Sequence, residues 1–239
     1  MYSFARTVLI ALTLAATAGH AGAQGFPQGL SQGFGGPTLS PVARAQRFGG
    51  ACQDCDLSNR ALIGVRIERG DFSRARFVRA DLQRMDGAGS TFTDADFSLA
   101  NMTAARLMDA QCAGARFSGA VMARMDGSRA QLTAADFTNA ELPDAVFVQA
   151  RLNGASFAGA KAMRANFLRA DLRGATLSYA RLDGADFTQA DLRGAAFSGA
   201  TLTGANLASA RHLTTAQLRG ACGDAATRLP PGVRLPACP

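Results

Sequence analysis

The sequence predicts an all-β fold in which short strands wind into a single parallel β-helix, a solenoid that takes up most of the chain. A five-residue period runs without insertion from a central residue at Leu57 to one at Leu207, giving 31 units. Leu occupies 13 of these centres and Phe 11, and the residue two positions before the centre is Ala in 24 of the units. Self-similarity at a fixed period is typical of solenoid proteins.

A period of five fits neither an α-helix nor a long alternating strand. In a helix, residues five apart would be spread around the whole circumference. In a short strand that turns at every fifth residue, positions two apart point the same way. The Ala and the central Leu or Phe then both face inward, while the residue between them faces solvent. The pattern therefore predicts a core of Ala, Leu and Phe.

Each pentad consists of Ala, a polar residue, Leu or Phe, and two variable residues, as in residues 170–174 (Ala-Asp-Leu-Arg-Gly) and 185–189 (Ala-Asp-Phe-Thr-Gln). Over residues 55–209 the chain resembles the pentapeptide-repeat family. The resemblance implies a right-handed, quadrilateral parallel β-helix with four pentads per coil, so that the 31 units form about eight coils. We place this β-helix at residues 52–212.

The N-terminus predicts export. Arg6 supplies a positive charge ahead of the apolar run from Val8 to Ala16, and residues 21–23 (Ala-Gly-Ala) form a small-residue cleavage site. We expect residues 1–23 to be a secretory signal peptide and the mature protein to be periplasmic or secreted, without a membrane span. A retained membrane anchor is the alternative, although the run is short for a bilayer. Residues 24–51, rich in Gly, Pro, Gln and Ser, are expected to form a flexible leader.

Stacking the sequence at intervals of 20 residues tests this arrangement. One column of centres becomes an aromatic ladder: Phe77, Phe97, Phe117, Phe137 and Phe157. Two columns of outward residues alternate in charge: Asp56, Arg76, Asp96, Arg116 and Asp136, and then Arg66, Asp86, Arg106 and Asp126. Opposite charges one strand spacing apart attract each other, so we interpret these columns as structural ladders rather than binding sites.

The last residue of each pentad is expected at a corner of the coil. In the C-terminal half it is often Gly, which readily supplies the positive φ that a type II turn requires. In the N-terminal coils the same position holds Arg69, Arg74, Arg79 and Arg84. For these arginine corners we expect a different turn type.

Two pentads lack a side chain at the centre. They contain Gly87 and Gly127, and in both the inward Ala is replaced, by Met85 and Met125. We expect the two methionines to fill the space above the glycines, so that the core volume is roughly kept. A cofactor-binding gap is the alternative that we disfavour.

Four of the five cysteines lie at the two ends of the repeat, and Cys112 is a pentad centre expected to act as a buried apolar residue. Bridged Cα atoms must lie within about 7 Å, whereas the β-helix would hold its two ends tens of ångströms apart. We therefore expect the disulfides Cys52–Cys55 and Cys222–Cys238, the second worth roughly 3 kcal/mol. A redox or zinc site at the first pair is the alternative, but no helix is expected after it and the local sequence offers no two further ligands.

The pentads stop after His212, and residues 213–239 are expected to cap the solenoid, whose end would otherwise expose apolar and hydrogen-bonding surface. Thr214 or Thr215 could cap a short helical turn that continues through Leu218. His212 falls in phase with the next central position. We therefore expect it to serve the cap rather than catalysis.

The sequence predicts no enzyme. With the signal peptide removed, His212 is the only histidine, and no nucleophile–histidine–acid set, carboxylate pair or phosphate-binding Gly loop stands out. We accordingly expect no metal, no cofactor and no small-molecule substrate.

The expected function is that of an exported, non-catalytic structural or interaction scaffold. The chain has a formal net charge of +7, which favours anionic partners. Two columns of arginines form a candidate anion-binding surface: Arg84, Arg124 and Arg164, and Arg69, Arg129 and Arg169. This surface could meet an unknown protein or an anionic envelope polymer. Scattered, solvated arginines are the alternative.

The resemblance also implies a second function. Some pentapeptide-repeat proteins resemble B-DNA in shape and charge and inhibit type II topoisomerases, which takes an acidic surface and a cytoplasmic location, and commonly a symmetric dimer. The positive charge and the expected export disfavour this function here. Direct nucleic-acid binding is disfavoured as well, because export removes the substrate and the chain has no Trp and only 2 Tyr on which bases could stack.

Overall fold

The computed structural model describes residues 47–239, and this part of the chain contains no α-helix. Two strands pair over several residues, β1 (Arg47–Ala51) and β2 (Arg66–Asp71), and they are parallel. From Asp56 to Arg211 the remaining pairing consists of single-residue parallel bridges between positions 20 apart. None of the described residues forms a helix that could cross a membrane.

The bridges form the four faces of a right-handed quadrilateral β-helix, as the sequence predicts. Face one begins at Asp56, face two at Ala61, face three at Arg66 and face four at Asp71, and each continues in steps of 20 residues. Face one ends at Ala196 and therefore spans eight coils. Each corner takes the number of the face that precedes it, so corner two joins face two to face three.

Backbone hydrogen bonds connect every coil to the coils on both sides of it. In face one, for example, Asp96 N donates to Ala75 O at 2.9 Å and Phe97 N donates to Arg116 O at 2.7 Å. These bonds satisfy the polar backbone groups that a buried wall would otherwise leave unpaired. The regular register also keeps the inward and outward positions of successive coils in line.

The core contains the Ala positions and the central Leu and Phe positions, as expected. The predicted ladder from Phe77 to Phe157 forms, with ring centroids 4.7–5.1 Å apart and nearly parallel planes. A second stacked column, Phe147, Phe167 and Phe187, packs edge-on against it. Since aromatic rings prefer offset-stacked and edge-to-face contacts, the two columns stabilise the interior in both ways.

The two central glycines are covered differently. A Cβ placed on Gly127 would lie 3.3 Å from Sδ of Met125, so this methionine does occupy the space as expected. At Gly87 the nearest side chains are Phe92, at 3.0 Å, and Leu107, at 3.3 Å. Met85 is fully buried in the core, and its role in covering Gly87 stays a prediction.

The corners from Asp54 to Gly204 share one backbone conformation. The last residue of the pentad has a positive φ whether or not it is Gly, and Arg69, Arg74, Arg79 and Arg84 have φ of 48°, 57°, 56° and 56°. Ala80 N donates to Phe77 O at 3.0 Å across the corner that contains Arg79, as in a type II turn. The expectation of another turn type at the arginines is wrong. Closing the square coil in register imposes the turn, although this backbone costs a non-glycine residue about 1–2 kcal/mol.

Side chains at corner one lean over the glycine of the next coil. A Cβ on Gly119 would lie 2.9 Å from Cδ2 of Leu99, and a Cβ on Gly199 would lie 2.6 Å from Cδ1 of Tyr179. Leu99 and Tyr179 nevertheless remain 52% and 73% exposed. The glycine thus provides the room into which the preceding corner residue extends.

Strand β1 extends the β-helix into the segment predicted to be a flexible leader. It pairs Arg47 with Arg66 and Ala51 with Asp71, with a register irregularity between Gly49 and Ala51. The solenoid therefore includes residues 47–51, which were assigned to the leader of residues 24–51. The predicted signal peptide, residues 1–23, and the rest of the leader lie outside the described residues.

The predicted cysteine pairs both lie at disulfide distance. Cys52 and Cys55 have Cα atoms 5.5 Å apart beside the first coil, and Cys222 and Cys238 have Cα atoms 4.7 Å apart in the C-terminal segment. The backbone of Cys222 also forms a parallel β-bridge with Thr201. The C-terminal disulfide therefore ties the chain end to a residue that continues face two.

The C-terminal cap is built around a reciprocal Thr–Gln pair. Thr214 N donates to Oε1 of Gln217 at 2.9 Å, and Gln217 N donates back to Oγ1 of Thr214 at 3.4 Å. Residues 215–220 form consecutive turns, in which Gln217, Leu218 and Arg219 each donate a backbone bond to the carbonyl three residues earlier, at 3.2–3.3 Å, so the short helical turn capped by Thr214 forms as expected. Gln217 Nε2 also donates to Leu192 O at 2.6 Å and to Ala195 O at 3.0 Å, which satisfies carbonyls at the end of the solenoid.

His212 does not take the central position that its phase in the repeat indicates. Its φ is 60° and its side chain is exposed, while the next residue, Leu213, is 8% exposed. The chain gains one residue at the point where the last coil ends. Leu213 therefore closes the core, and His212 turns outward to Asp191.

Candidate interaction surface

The six arginines predicted to form an anion-binding surface lie on the two corners that border face three. Corner two carries Arg84, Arg124 and Arg164, and corner three carries Arg69, Arg129 and Arg169. The structure thus brings the two columns to opposite edges of the same face. Members of one column are two coils or more apart, so the residues between them decide whether the positive charge is continuous.

Three of the six arginines form hydrogen bonds with neighbouring side chains. Arg164 donates from Nε and Nη2 to the two carboxylate oxygens of Asp144, both at 2.7 Å, and Arg129 makes the same pair of bonds to Asp109. The hydrogen bonds hold the pKa of each carboxyl group below its usual range. Arg169 donates from Nε to Oε1 of the neutral Gln189 at 2.7 Å.

The columns are therefore not continuous basic stripes. Asp144 lies between Arg124 and Arg164 on corner two, and Asp109 lies one coil before Arg129 on corner three. Within residues 52–212 the chain has 19 basic and 17 acidic residues, a net charge of +2. Most of the formal charge of the chain thus lies outside the repeat, and the arginines on the corners partly serve to stack coils.

The charged columns on the faces lie in register, and one pair in each column forms an ion pair. Arg76 lies 3.9 Å from Asp56 on face one, and Arg106 lies 3.4 Å from Asp86 on face three. These side chains are largely exposed, so the two pairs stabilise the fold little. That the whole columns act as structural ladders stays a prediction.

An apolar surface that the sequence reasoning missed lies on both sides of corner two. Face two presents Val121, Pro143 and Met163, and face three presents Val146, Val148 and Leu168. Val121 is 36% exposed, and the other side chains are half-buried. Arg124, Asp144 and Arg164 form the ridge between the two apolar strips. We call these nine residues the central patch.

The signal for the central patch is present in the sequence. All six apolar residues stand immediately before or after a pentad centre, where the alternation of the strand directs side chains outward. Outward positions in the other coils are mostly polar, so a 20-residue stacking of these positions separates the apolar strips from the core. The anion-binding surface predicted from the sequence contains only the charged columns.

The described residues hold no assembled catalytic or metal site. They contain no group of three or more His, Cys, Asp or Glu that could bind a metal ion. Cys112 is fully buried, and burial raises the pKa of its thiol to about 12, so it is not a nucleophile. Burial would raise the pKa of Asp191, but the hydrogen bond with Nδ1 of His212, 2.8 Å away, the bond from the backbone N–H of Arg193 and the nearby charges together outweigh it and lower the pKa. Among the described residues no nucleophile hydrogen-bonds His212 to complete a catalytic set.

The repeat matches the family model described as pentapeptide repeats, with eight copies spread over residues 71–103, 105–142, 130–169, 140–178 and 170–208. The chain belongs to the pentapeptide-repeat family. Members of this family are generally structural or interaction proteins rather than enzymes. No curated protein matches the chain in sequence.

Solved structures of pentapeptide-repeat proteins resemble the chain. HetL from the cyanobacterium Nostoc sp., a protein involved in the regulation of heterocyst differentiation, is 25% identical, with a TM-score of 0.41 over 81% of this chain and 89% of HetL. A trypsin-treated variant of QnrB1, a plasmid-mediated fluoroquinolone resistance protein, is 21% identical, with a TM-score of 0.47 over 76% of this chain and 92% of its own. A protein from the thylakoid lumen of Arabidopsis thaliana is 30% identical over 44% of this chain and 69% of its own, with a TM-score of 0.25.

Proposed function

We propose that the protein is an exported, non-catalytic scaffold that binds a protein partner through the central patch. The observation that carries the proposal is the pair of apolar strips on a rigid, fully hydrogen-bonded rod. Apolar side chains at the centre of a surface with arginine at its edge are typical of protein-binding surfaces. The expected signal peptide supports a partner in the periplasm or outside the cell.

The charges around the patch indicate the chemistry of the partner. Arg124 makes no ion pair within 4.0 Å with any side chain that the structure describes, and Arg169 hydrogen-bonds only the neutral Gln189. These two arginines stand on opposite edges of face three. A partner segment with an apolar side chain between carboxylates would cover Val148 and Leu168 and neutralise both charges.

The partner-binding function can be tested by co-purification from the cells that express the protein. The double variant Val148→Glu/Leu168→Glu should lose the bound partner, because it places two carboxylates in the apolar strip. The double variant Thr93→Glu/Ala113→Glu is the matched control, since it changes the same strand position in two successive coils of face four. Both variants should keep the thermal unfolding midpoint of the parent protein.

The result that counts against the proposal is partner retention by the Val148 and Leu168 variant at the parental level. Equal loss in the control variant would show that added negative charge, rather than the patch, governs binding. Export is tested separately by fractionation of the same cells and by the mass of the recovered protein, which should correspond to cleavage after residue 23.

The topoisomerase inhibitor function remains the less favoured alternative. The repeat has a net charge of +2, and the guanidinium groups on its corners do not resemble a row of phosphates. A DNA supercoiling assay with a type II topoisomerase should show no inhibition by the protein. Inhibition at stoichiometric concentrations would favour the alternative over the scaffold.

A further inference from the structure

Four consecutive corners of the β-helix carry arginine. Arg69, Arg74, Arg79 and Arg84 occupy corners three, four, one and two in turn, so together they encircle the rod once. In the other coils no more than two corners in succession carry arginine. We call this ring of four residues the arginine collar.

Three of the four collar arginines have no ion-pair partner among the side chains that the structure describes. Arg74 donates to both carboxylate oxygens of Asp54, at 2.7 and 2.8 Å. Arg69, Arg79 and Arg84 make no ion pair with any side chain that the structure describes. The described corner residues one coil away are uncharged: Asn59 and Leu99 beside Arg79, Gly64 and Ala104 beside Arg84, and Gly89 beside Arg69.

The collar concentrates corner arginines that lack an ion pair. Farther along the rod Arg124 and Arg169 also lack one, but they lie on different corners more than two coils apart, whereas Arg129 and Arg164 each form a two-bond ion pair with an aspartate one coil away. Arg69, Arg79 and Arg84 keep a positive-φ backbone at positions where Gly would be free of strain. A strained residue whose side chain makes no ion pair in the described structure is a candidate for function.

We propose that the arginine collar binds an anionic lipid surface and holds the rod end-on to it. A ring of charges around the axis presents all four corners at nearly one height above a plane perpendicular to the rod. A polymer lying along the rod would need an axial row of charge, and Asp109 and Asp144 interrupt both such rows. The transverse arrangement therefore favours a surface over a linear polyanion.

The position of the collar fits this orientation. The first described element is β1, which lies one coil before the collar and pairs with β2, the strand that contains Arg69. Successive coils are about 4.8 Å apart. The collar thus lies within about one Debye length, 8 Å, of the N-terminal face of the described β-helix. Residues 60–84 contain seven Arg against three acidic residues, a net charge of +4, and no Trp or Tyr. We infer electrostatic adsorption rather than insertion.

The test is sedimentation of the full chain with lipid vesicles. One set is phosphatidylglycerol mixed with phosphatidylcholine, and the other is phosphatidylcholine alone, which measures any binding that does not depend on charge. The variant Arg69→Gly/Arg79→Gly/Arg84→Gly removes three collar charges without strain, because Gly adopts positive φ freely. The matched control Arg124→Gly/Arg129→Gly/Arg169→Gly removes as many charges from the same type of corner.

Each arginine near an anionic surface increases the binding constant about fivefold at low ionic strength. The collar variant should therefore bind the anionic vesicles at least tenfold more weakly than the parent, and the loss should shrink as salt is added. The control variant should bind within about threefold of the parent. Replacement of the same three collar arginines by Lys should retain binding, since the charge rather than the shape is recognised.

Orientation has its own readout. Tyr179 lies on corner one five coils beyond Arg79, about 24 Å along the rod. In a Tyr2→Phe background it is the only Tyr, and the chain has no Trp. Its fluorescence should not be quenched by brominated lipids when the rod binds the vesicle end-on. A rod lying flat on corner one would bring Tyr179 within reach of the lipid, and the fluorescence would then be quenched.

Three results would overturn the proposal. Equal weakening in the collar and control variants would show that only net charge matters. Unchanged binding of the collar variant would show that the collar takes no part. Collar-dependent retention on soluble polyphosphate without binding to anionic vesicles would assign the collar to a polymer instead. The central-patch co-purification does not depend on any of these outcomes.

Discussion

We expect the stacked Phe column to contribute strongly to the stability of the core. Phe117 is fully buried, and its ring stacks on Phe97 at 5.1 Å and on Phe137 at 4.9 Å. Truncation of a buried Phe to Ala costs about 3–5 kcal/mol. Because both ring faces lose an aromatic partner, each worth about 0.5–1.5 kcal/mol, we expect Phe117→Ala to fall in the upper part of that range.

Urea unfolding followed by far-UV circular dichroism measures this change in the free energy of unfolding. Phe117→Leu is the matched control, since Leu is common at pentad centres and a swap that keeps most of the volume should cost less than about 1.5 kcal/mol. If Phe117→Ala unfolds within about 1 kcal/mol of the parent, the ladder is not a main source of stability. The same conclusion would follow if the Ala and Leu variants had the same stability.

Three further predictions concern the cap, the disulfide and the ion pairs on the corners. Gln217→Ala should lower the free energy of unfolding by about 1–3 kcal/mol in the same urea assay, because it leaves two carbonyls of the last coil without their side-chain donor; no change would mean that water replaces the amide. Loss of Cys222–Cys238 should cost about 3 kcal/mol, measured as a lower unfolding midpoint of Cys222→Ser/Cys238→Ser than of the parent in non-reducing buffer; in reducing buffer, where Cys52–Cys55 is open in both proteins, the two midpoints should coincide. The pKa of Asp144 lies below its usual value of 3.8, so the stability it confers is present above that pH and is lost as the pH falls through the lowered pKa. Carboxyl carbon chemical shifts should show this pKa rising in Arg164→Gln, and an unchanged pKa would refute the ion pair.

The sequence predicts the β-helix because its inward positions repeat every five residues without an insertion. Alternating Ala with Leu or Phe places Phe97 and Phe117 in one column, and a 20-residue stacking is then enough to pair Asp86 with Arg106. These features follow from local strand geometry and from one global parameter, the number of residues per coil. Both remain constant from one end of the repeat to the other.

Features at the ends and corners of the rod could not be derived in the same way. Strand β1 pairs with a register irregularity, so its residues do not follow the pentad pattern. The single-residue shift that buries Leu213 in place of His212 depends on how the last coil closes. The positive φ of Arg79 is imposed by the closure of its own coil, whereas an arginine by itself prefers a negative φ.

The surface was only partly predictable. The columns of Arg124 and Arg129 follow from the period, but the bidentate pairing of Arg129 with Asp109 depends on how long side chains at a corner extend along the rod. The apolar strips are visible at outward positions of the sequence, and the missing step was to stack those positions as well as the core. A site on a solenoid is therefore best sought in its outward columns.

The contacts at corner one restrict how this protein can change over evolution. Where Leu99 extends over Gly119, or Tyr179 over Gly199, a side chain on the glycine would meet the residue 20 positions earlier, which would have to turn away or become smaller. The aromatic ring of Tyr179 has fewer ways to turn away than the flexible Leu99, so the coupling should be stronger at Gly199. Sequence variation at this edge of the rod should accordingly be correlated between neighbouring coils.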